Sequence, residues 1–264
     1  MRIELQNYQD STIDKNNLLN RGEMFGDGFF TTGVIINGQI AFKDAHVARL
    51  ESAATQLAFK DFSLSDLQSK LDNIENTCYD DCTFRISVCR NQSSRGYKIS
   101  EKATSYCKID LFPLVERPKS PCELLIARIH INHNPSLAGI KHLNRLDSVL
   151  ASSEIESANQ EALMLDGDKL ICGSRSNLFV LINGIWLTDK LDSCGILGIT
   201  RQRVLDYFVS HDIPHKQTEI RLDDIPLIKA AFVTNSLIGA WPAKSIHGRS
   251  LSLESSQQIS EFIN

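Results

Sequence analysis

Residues 29–42 read FFTTGVIINGQIAF, and this stretch decides how the fold begins. Phe29–Ile36 is rich in β-branched and aromatic residues, which favour a strand. An Asn-Gly pair follows, the strongest short hairpin signal, and it predicts a second strand over Gln39–Phe42. Apolar residues then recur on one helical face of Asp44–Gln56, so we predict a helix there.

Similar patterns predict a mixed α/β chain beyond this hairpin. The further elements are helices at Ser63–Ile74, Asn144–Ser157 and Arg201–Ser210, strands at Cys82–Cys89, Tyr106–Pro113, Leu124–Ile131, Asn177–Ile182 and Ala230–Thr234, and a hairpin over Ala162–Leu170. Glu116–Pro121 is polar with two prolines and is typical of a linker. We therefore expect a small N-terminal α/β domain (1–115), a linker (116–122) and a larger C-terminal domain (123–264), with the active site in the cleft between them.

The composition narrows the class of protein. The 264 residues carry 28 basic and 32 acidic side chains, a net charge of −4, and no basic run, which argues against nucleic-acid binding. No segment approaches the roughly 18 uninterrupted apolar residues of a membrane span, and no signal peptide is visible. The seven cysteines are odd in number and form no CxxC pair, which is typical of reduced thiols. We expect a cytoplasmic protein that does not contact a membrane.

Two histidines, His130 and His133, have the spacing HxxH within a predicted strand. Side chains three positions apart on a strand point to opposite faces. Since no acidic or cysteine cluster stands close by in the sequence, we expect no metal site.

Five features of the sequence could carry chemistry. Lys141 lies among apolar residues, where desolvation would free its amine as a nucleophile; a surface lysine whose stem lies on apolar residues is the alternative. A glycine-containing loop at 195–198 leads into Ile199 and Thr200 at the start of a predicted helix, an arrangement that can bind an anion or simply form a turn. The other candidates are Ser236 after a strand, Arg49 on a helix, and Arg95 with Tyr97 in a loop.

Taken in order, five segments resemble the fold-type IV enzymes that use pyridoxal 5'-phosphate (PLP). They are RGEMFGDGFFTT (21–32), LAGIKHLNRL (137–146), EALMLD (161–166), GSRSNLF (173–179) and GILGITR (195–201). This superfamily includes the branched-chain and D-amino acid aminotransferases and aminodeoxychorismate lyase, and the first two segments are most similar to the lyase. The resemblance implies an α+β fold like that of D-amino acid aminotransferase, with PLP in the cleft between two domains.

The resemblance also implies roles for particular residues. Lys141 matches the lysine that binds PLP covalently and moves protons, and Arg49 matches the arginine on the PLP phosphate. Ile199, Thr200 and Ser236 match the rest of the phosphate cup. Thr32 resembles an active-site threonine of the lyase. Arg95 and Tyr97 resemble the segment that binds substrate carboxylates. The family is homodimeric.

One residue departs from the family pattern. The family reads EGSxSNLF, and its glutamate pairs with the PLP ring nitrogen; here Cys172 stands in that position. A neutral thiol cannot hold the ring nitrogen protonated as a carboxylate does, and a thiolate would need a lowered pKa. Elimination tolerates a weaker electron sink than transamination does, since its leaving group departs promptly. We therefore expect a 4-amino-4-deoxychorismate lyase that forms 4-aminobenzoate and pyruvate for folate synthesis. The alternatives are an aminotransferase of the same fold and a weakly active PLP-binding homologue.

Overall fold

A computed structural model describes residues 21–78, 80–91 and 96–264 of the chain, together with the backbone of Arg2–Asn7. The chain divides into two compact units. Unit 1 comprises residues up to 115 and also residues 141–144, while unit 2 comprises 116–140 and 145–264. The segment that contains Lys141 therefore belongs to unit 1, although it lies beyond the proline-containing linker in the sequence.

Unit 1 is a five-stranded sheet covered by helices. Its elements are β1 (Arg2–Asn7), α1 (Arg21–Phe25), β2 (Gly28–Ile36), β3 (Gln39–Ile40), α2 (Lys43–Gln56), α3 (Leu64–Thr77), β4 (Cys82–Arg90) and β5 (Ser105–Pro113). The strand order is β1-β5-β4-β2-β3, with β1 parallel to β5 and the other pairs antiparallel. The strands predicted over Phe29–Ile36, Cys82–Cys89 and Tyr106–Pro113 form its β2, β4 and β5.

The β2–β3 hairpin forms as the Asn-Gly pair predicts. Asn37 and Gly38 both take positive φ, 51° and 74°, and Ile36 pairs with Gln39. The second strand is shorter than we predicted. Phe42 adopts a left-handed conformation (φ 57°) immediately before α2, which ends the extended backbone.

The two faces of β2 have different neighbours. Phe29, Thr31 and Ile35 are buried on one face, and Thr31 meets His46 of α2 there. Phe30 and Thr32 alternate with them and are half-buried on the other face. The period of two thus separates the side chains that pack in the core from those that remain available for chemistry.

A buried ion cluster ties the start of β2 to β4. Asp27 accepts from Arg21 Nε at 2.7 Å and from Arg90 Nε at 3.2 Å. Arg90 also donates to the carbonyls of Leu57 and Ala58. One carboxylate therefore balances two buried guanidinium groups, which without it would carry a large desolvation cost.

Unit 2 is built on a nine-stranded sheet. Its elements are β6 (Cys122–Ile126), α4 (Leu146–Ser152), β7 (Gln160–Asp166), β8 (Lys169–Gly173), β9 (Asn177–Ile182), β10 (Ile185–Thr188), α5 (Ile199–Ser210), β11 (His215–Gln217), a 3₁₀ helix (Leu222–Leu227), β12 (Ala230–Asn235), β13 (Gly239–Ile246), β14 (Arg249–Ser250) and α6 (Glu254–Ile263). The order is β11-β10-β9-β12-β13-β6-β7-β8, with β14 on β13.

The sheet of unit 2 closes on itself. β8 pairs with β7 on one side and reaches β9 through Cys172 and Asn177, so β9, β12, β13, β6, β7 and β8 form a ring. The apolar cluster with side chains from these strands includes Leu163, Leu178, Val233 and Trp241. A second cluster joins Phe179 and Phe232 to Phe208 of α5. The sheet therefore has apolar packing on both faces, as near-continuous apolar strands require.

Several predicted boundaries in unit 2 are wrong. The strand predicted over Leu124–Ile131 ends at Ile126, because the N–H of Arg128 donates to the Glu154 carboxylate instead of to a neighbouring strand. The helix predicted over Asn144–Ser157 is only Leu146–Ser152. The sequence patterns do not predict eight further elements of the structure, which are β1, α1, β10, β11, β13, β14, α6 and the 3₁₀ helix. β13 contains Pro242, a residue that argues against a strand on sequence grounds.

Among the described residues, no helix combines the length and apolar character needed to cross a membrane.

The Asp27 cluster gives the first testable prediction. Asp27→Asn removes the charge that balances Arg21 and Arg90, so we expect the free energy of unfolding to fall by about 2–4 kcal/mol. The matched control is Asp72→Asn, whose carboxylate pairs with Lys43 but is 63% exposed, against 17% for Asp27. It should cost under about 1 kcal/mol. Urea unfolding measures both variants, and equal losses would contradict the buried role of Asp27.

Candidate active site

The position of Lys141 is set by backbone pairing with β2. The N–H of Phe30 donates to the Lys141 carbonyl at 2.9 Å, and the N–H of Leu143 donates to the Gly28 carbonyl at 2.9 Å. Phe29 and His142 form an antiparallel bridge between these two bonds. A segment distant in sequence thereby joins the sheet of unit 1, and its lysine is fixed beside the half-buried face of β2.

This face of unit 1 collects cationic groups around one aromatic ring. The Lys141 Nζ lies 4.6 Å from the centre of the Phe30 ring, and the Arg85 Cζ lies 4.1 Å from it. Thr32 is two positions along β2 from Phe30 and pairs with Arg85 across the sheet. The structure therefore brings Lys141 and Thr32 to one face, and it adds Arg85, which the sequence analysis did not select.

On the opposite face of β2, helix α2 carries a buried polar pair. His46 Nδ1 lies 2.6 Å from the Thr31 hydroxyl. Burial, with Arg49 and Lys141 nearby, lowers the pKa of His46 to about 3, so this imidazole is neutral at pH 7. A Cβ on Gly33 would lie 2.6 Å from His46 Nε2, which explains why this strand position needs a glycine. The pair fixes one turn of α2 against the sheet.

Arg49 follows His46 by one turn of α2 and is half-buried. Burial lowers the pKa of its guanidinium to about 10, which leaves it protonated at pH 7. A protonated, partly desolvated guanidinium is suited to bind a phosphate with two parallel hydrogen bonds.

Arg21 holds the loop in which Tyr97 lies. Its Nη1 donates to the Gly96 carbonyl at 2.8 Å and its Nη2 donates to the Tyr97 carbonyl at 2.9 Å. The Tyr97 side chain is 82% exposed and rests against the Phe25 ring, 5.0 Å between centres. The predicted substrate residue Arg95 lies outside the described residues.

In unit 2, the glycine-containing loop leads directly into α5. Gly195 has a φ of 82°, and its carbonyl accepts from the N–H of Gly139 at 3.0 Å. Helix α5 begins at Ile199 after Gly198, and among the described residues no side chain caps it. Ile199 and Thr200 are buried in its first turn. An uncapped helix start of this kind presents backbone N–H groups to an anion.

Asn177 joins this loop to the sheet. Its Nδ2 donates to the Ile196 carbonyl at 2.8 Å, and a Cβ on Gly198 would lie only 2.0 Å from its Oδ1. Across the sheet, Asn177 pairs with Thr234 of β12. The side chain of Asn177 is buried and holds the loop through a contact that only a glycine at 198 permits.

Two buried hydroxyls near the ends of these strands have no hydrogen-bond partner among the described residues. They are Thr234 Oγ1 and Ser176 Oγ. Ser236, the predicted hydroxyl residue, follows β12 by one residue and is half-buried. Since a buried hydroxyl without a partner costs free energy, such groups indicate where a polar ligand could bind.

Cys172 lies in β8 within an apolar cluster that includes Met164, Ile171, Leu191 and Cys194. Burial raises the pKa of its thiol far above the ordinary value, so the side chain is a neutral thiol at pH 7. The thiolate that the sequence analysis left open is thereby excluded.

Glu161 is a fully buried carboxylate in β7, eleven positions before Cys172. It accepts from the Ser174 hydroxyl at 2.8 Å and from Arg175 Nε at 3.2 Å. These contacts hold the turn between β8 and β9, which contains the GSRSN segment.

The residues that could bind a metal do not cluster. No group of three or more histidine, cysteine or carboxylate side chains occurs within the part of the chain that the structure describes. His133 Nδ1 instead pairs with the Asp166 carboxylate at 2.8 Å. His130 and His133 lie beyond the end of β6 in irregular backbone, so the strand argument made for them does not apply.

The sheet topology, the β2-bound lysine segment and the uncapped glycine-loop helix are together those of a fold-type IV enzyme. The family model described as amino-transferase class IV matches residues 28–246, and the chain belongs to this family. The α/β fold expected from the sequence motifs is confirmed.

Individual relatives include both lyases and aminotransferases. An aminodeoxychorismate lyase from Vibrio harveyi is 28% identical, covering 86% of this chain and 85% of that protein. A D-alanine aminotransferase from Bacillus licheniformis is 25% identical, covering 88% of this chain and 83% of its own length. The crystal structure of 4-amino-4-deoxychorismate lyase from Pseudomonas aeruginosa superposes with a TM-score of 0.85 at 26% identity and covers 95% of each chain.

The unpartnered Thr234 hydroxyl gives a testable prediction. Thr234→Val removes a buried hydroxyl that bonds to no described residue, so the free energy of unfolding should be unchanged or rise by up to about 1 kcal/mol. The matched control is Thr188→Val, because Thr188 Oγ1 is also buried but donates to the Leu178 carbonyl at 2.7 Å. It should lose about 1 kcal/mol. Urea unfolding after dialysis against ligand-free buffer compares them, and equal destabilisation would show that Thr234 has a partner.

Proposed function

We propose that this chain is a PLP-dependent 4-amino-4-deoxychorismate lyase, which eliminates pyruvate from its substrate and leaves 4-aminobenzoate for folate synthesis. The observation that carries the proposal is the Lys141 amine, held by backbone pairing to β2 on a face that also carries Arg85 and Thr32. The lyase relatives at 28% and 26% identity support it.

The described residues fit PLP. The uncapped start of α5 offers backbone N–H groups, the buried Thr234 hydroxyl has no partner among the described residues, and Arg49 is protonated. We propose that Arg49, Ile199, Thr200 and Ser236 hold the phosphate and that Lys141 binds the cofactor covalently. When bound, PLP supplies an electron sink that acidifies the C–H bond beside the substrate amine.

Lys141 then acts as the base and the acid of the reaction. With the substrate amine bound to the cofactor, the Lys141 Nζ would take the proton from the carbon that bears that amine. The same Nζ would return a proton to the methylene carbon of the departing enolpyruvate, which would leave as pyruvate.

The substrate has two carboxylates, and unit 1 supplies cationic groups for them. Arg85 lies on the same face as Lys141, and its Nε donates to the Ser87 hydroxyl at 3.1 Å, which limits its orientation. Arg95 and Tyr97 are the loop residues that we propose for the second carboxylate. Thr32 is placed to donate a hydrogen bond from the Lys141 face.

The neutral Cys172 thiol favours elimination over transamination. A thiol beside the ring nitrogen would stabilise a carbanion less than a carboxylate does, and elimination removes the developing charge with its leaving group. This ranks the lyase above the aminotransferase, while the same residue is the reason for keeping a weakly active homologue as an alternative.

We further propose that the chain is a homodimer. Helix α4 exposes an apolar stripe at the spacing i, i+3, i+4, formed by Leu146 (69% exposed), Val149 (60%) and Leu150 (44%). The exposed Tyr97, held at its backbone by Arg21, is available to a second copy.

The lyase assay tests the proposed activity. Purified protein supplied with PLP and 4-amino-4-deoxychorismate should release 4-aminobenzoate and pyruvate in equal amounts, followed by fluorescence and by a coupled dehydrogenase. Lys141→Ala should lose at least about 10³-fold of this rate, because it removes both the base and the acid. Turnover of D-alanine or branched-chain amino acids with 2-oxoglutarate, without 4-aminobenzoate, would identify an aminotransferase instead. No turnover of either kind would identify the inactive homologue.

Cys172 allows a test of the electron-sink argument. Cys172→Glu should increase side transamination more than elimination, and about 1.4 kcal/mol of added carbanion stabilisation corresponds to about a tenfold gain. Cys172→Ser is the control, since it is similar in size and neutral, and the ratio of the two rates should stay near that of the wild type. If Cys172→Glu changed both rates equally, Cys172 would not be the residue that interacts with the PLP ring nitrogen.

The dimer is tested by light scattering after gel filtration. Val149→Glu places a charge within the exposed stripe and should shift the mass from dimer to monomer. The matched control is Val209→Glu, on α5, because Val209 is similarly exposed at 66% but lies outside the stripe. A dimer that persists in Val149→Glu would place the interface elsewhere.

A further inference from the structure

Two thiols of unit 1 lie in contact where α3 leads into β4. The Sγ atoms of Cys78 and Cys82 are 3.6 Å apart. Cys78 follows the last residue of α3, and Cys82 is the first residue of β4. In a disulfide the sulfurs are about 2.0 Å apart, so bonding requires an approach of about 1.5 Å, which side-chain rotation can supply.

The two cysteines differ in how far solvent can reach their sulfur atoms. Cys78 is half-buried, whereas the other six cysteines of the chain are buried. Burial, together with the neighbouring Cys78 sulfur, raises the pKa of the Cys82 thiol to about 12, so Cys82 stays protonated. This difference assigns Cys78 as the sulfur that reacts first with a dissolved reagent and Cys82 as the one that reacts second.

A polar cavity of about 510 Å³ lies beside Cys78. Asn37, Gly38, Gln39, Glu75 and Asn76 complete its lining. The volume is in the range of pockets that hold small molecules. Its amide and carboxylate groups suit the amino, amide and carboxylate groups of a small peptide thiol.

We propose that Cys78 and Cys82 form a redox-active pair, which small-molecule disulfides such as glutathione disulfide convert reversibly into an intramolecular disulfide. This site is separate from the proposed lyase chemistry and does not depend on it. The ring that the bond closes is short, so it restricts the unfolded chain little, and a role in reversible modification suits it better than one in stabilisation.

The exchange proceeds in two balanced steps. The Cys78 thiolate attacks one sulfur of glutathione disulfide, forming a mixed disulfide and releasing one glutathione thiolate. Cys82 then loses its proton to solvent and attacks the Cys78 sulfur, which forms the Cys78–Cys82 bond and releases the second glutathione. Two protein thiols are oxidised, and one glutathione disulfide is reduced to two thiols.

The oxidised state has a direct connection to the β2–β3 hairpin. The Asp81 carboxylate, between the two cysteines in sequence, accepts from the N–H of Asn37 at 2.8 Å. Glu75, in the last turn of α3, accepts from the N–H of Ile40 at 2.9 Å. A disulfide between Cys78 and Cys82 would therefore restrain the segment from α3 to β4, whose Glu75 and Asp81 carboxylates accept hydrogen bonds from the β2–β3 hairpin.

The experiment incubates the full-length protein with glutathione disulfide and counts free thiols by alkylation and intact mass. Wild type should lose two alkylatable thiols, keep no glutathione, and recover both thiols on reduction with dithiothreitol. Peptide mapping should place the bond between Cys78 and Cys82.

Two single variants separate the roles of the sulfurs. Cys82→Ser should accumulate one stable glutathione on Cys78, because no second thiol resolves the mixed disulfide. Cys78→Ser should take up glutathione at least about tenfold more slowly, because its remaining thiols are buried. Circular dichroism confirms that both variants are folded.

Three results would overturn the proposal. They are a wild type that keeps all its thiols, a wild type that retains glutathione as stably as Cys82→Ser does, and a bond or adduct mapped to other cysteines. Lyase activity plays no part in these readouts, so failure of the thiol pair and failure of the proposed function are distinguishable.

Discussion

The backbone pairing between β2 and the segment 141–143 is the constraint on which the position of Lys141, and so the chemistry proposed for it, depends. A lysine on a free loop would hold its amine in many positions, and each would have to be ordered before reaction. Two hydrogen bonds and a bridge instead attach this segment to β2 of the unit 1 sheet. The amine is therefore held beside a regular strand, next to the Phe30 ring.

Among the described residues, the arginines of unit 1 fall into two groups, those that pair with Asp27 and those that do not. Arg21 and Arg90 are paired with Asp27 and support the loops around them. Arg85 lies on the Phe30 face of the sheet with Lys141. Arg49 lies on α2, where burial lowers the pKa of its guanidinium without removing its charge, and the neutral His46 of the same helix adds no further positive charge.

In unit 2, two glycines shape the loop that leads into α5, where we propose that the cofactor phosphate binds. Gly195 permits the left-handed turn before α5, and Gly198 permits the close approach of Asn177. The ring closure between β8 and β9 occurs at Cys172 and Asn177 themselves. Cys172, which departs from the family pattern, and Asn177, which holds the glycine-containing loop, therefore pair directly across the β8–β9 ladder.

The sequence by itself determined the family and those local elements whose signals lie close together in the chain. The Asn-Gly turn, the β-branched run of β2, the apolar periodicity of α2 and the glycine entry into α5 all act through neighbours in the chain, so pattern alone predicts them. Only tertiary structure decided which distant side chains meet. The pairing of Lys141 with the unit 1 sheet, the position of Arg85 over Phe30 and the contact of Asn177 with Gly198 each join residues far apart in sequence. The contact of Cys78 with Cys82 depends on the path of the chain from the end of α3 at Thr77 to the start of β4 at Cys82. Periodicity carries no information about such contacts, because they depend on how whole elements pack.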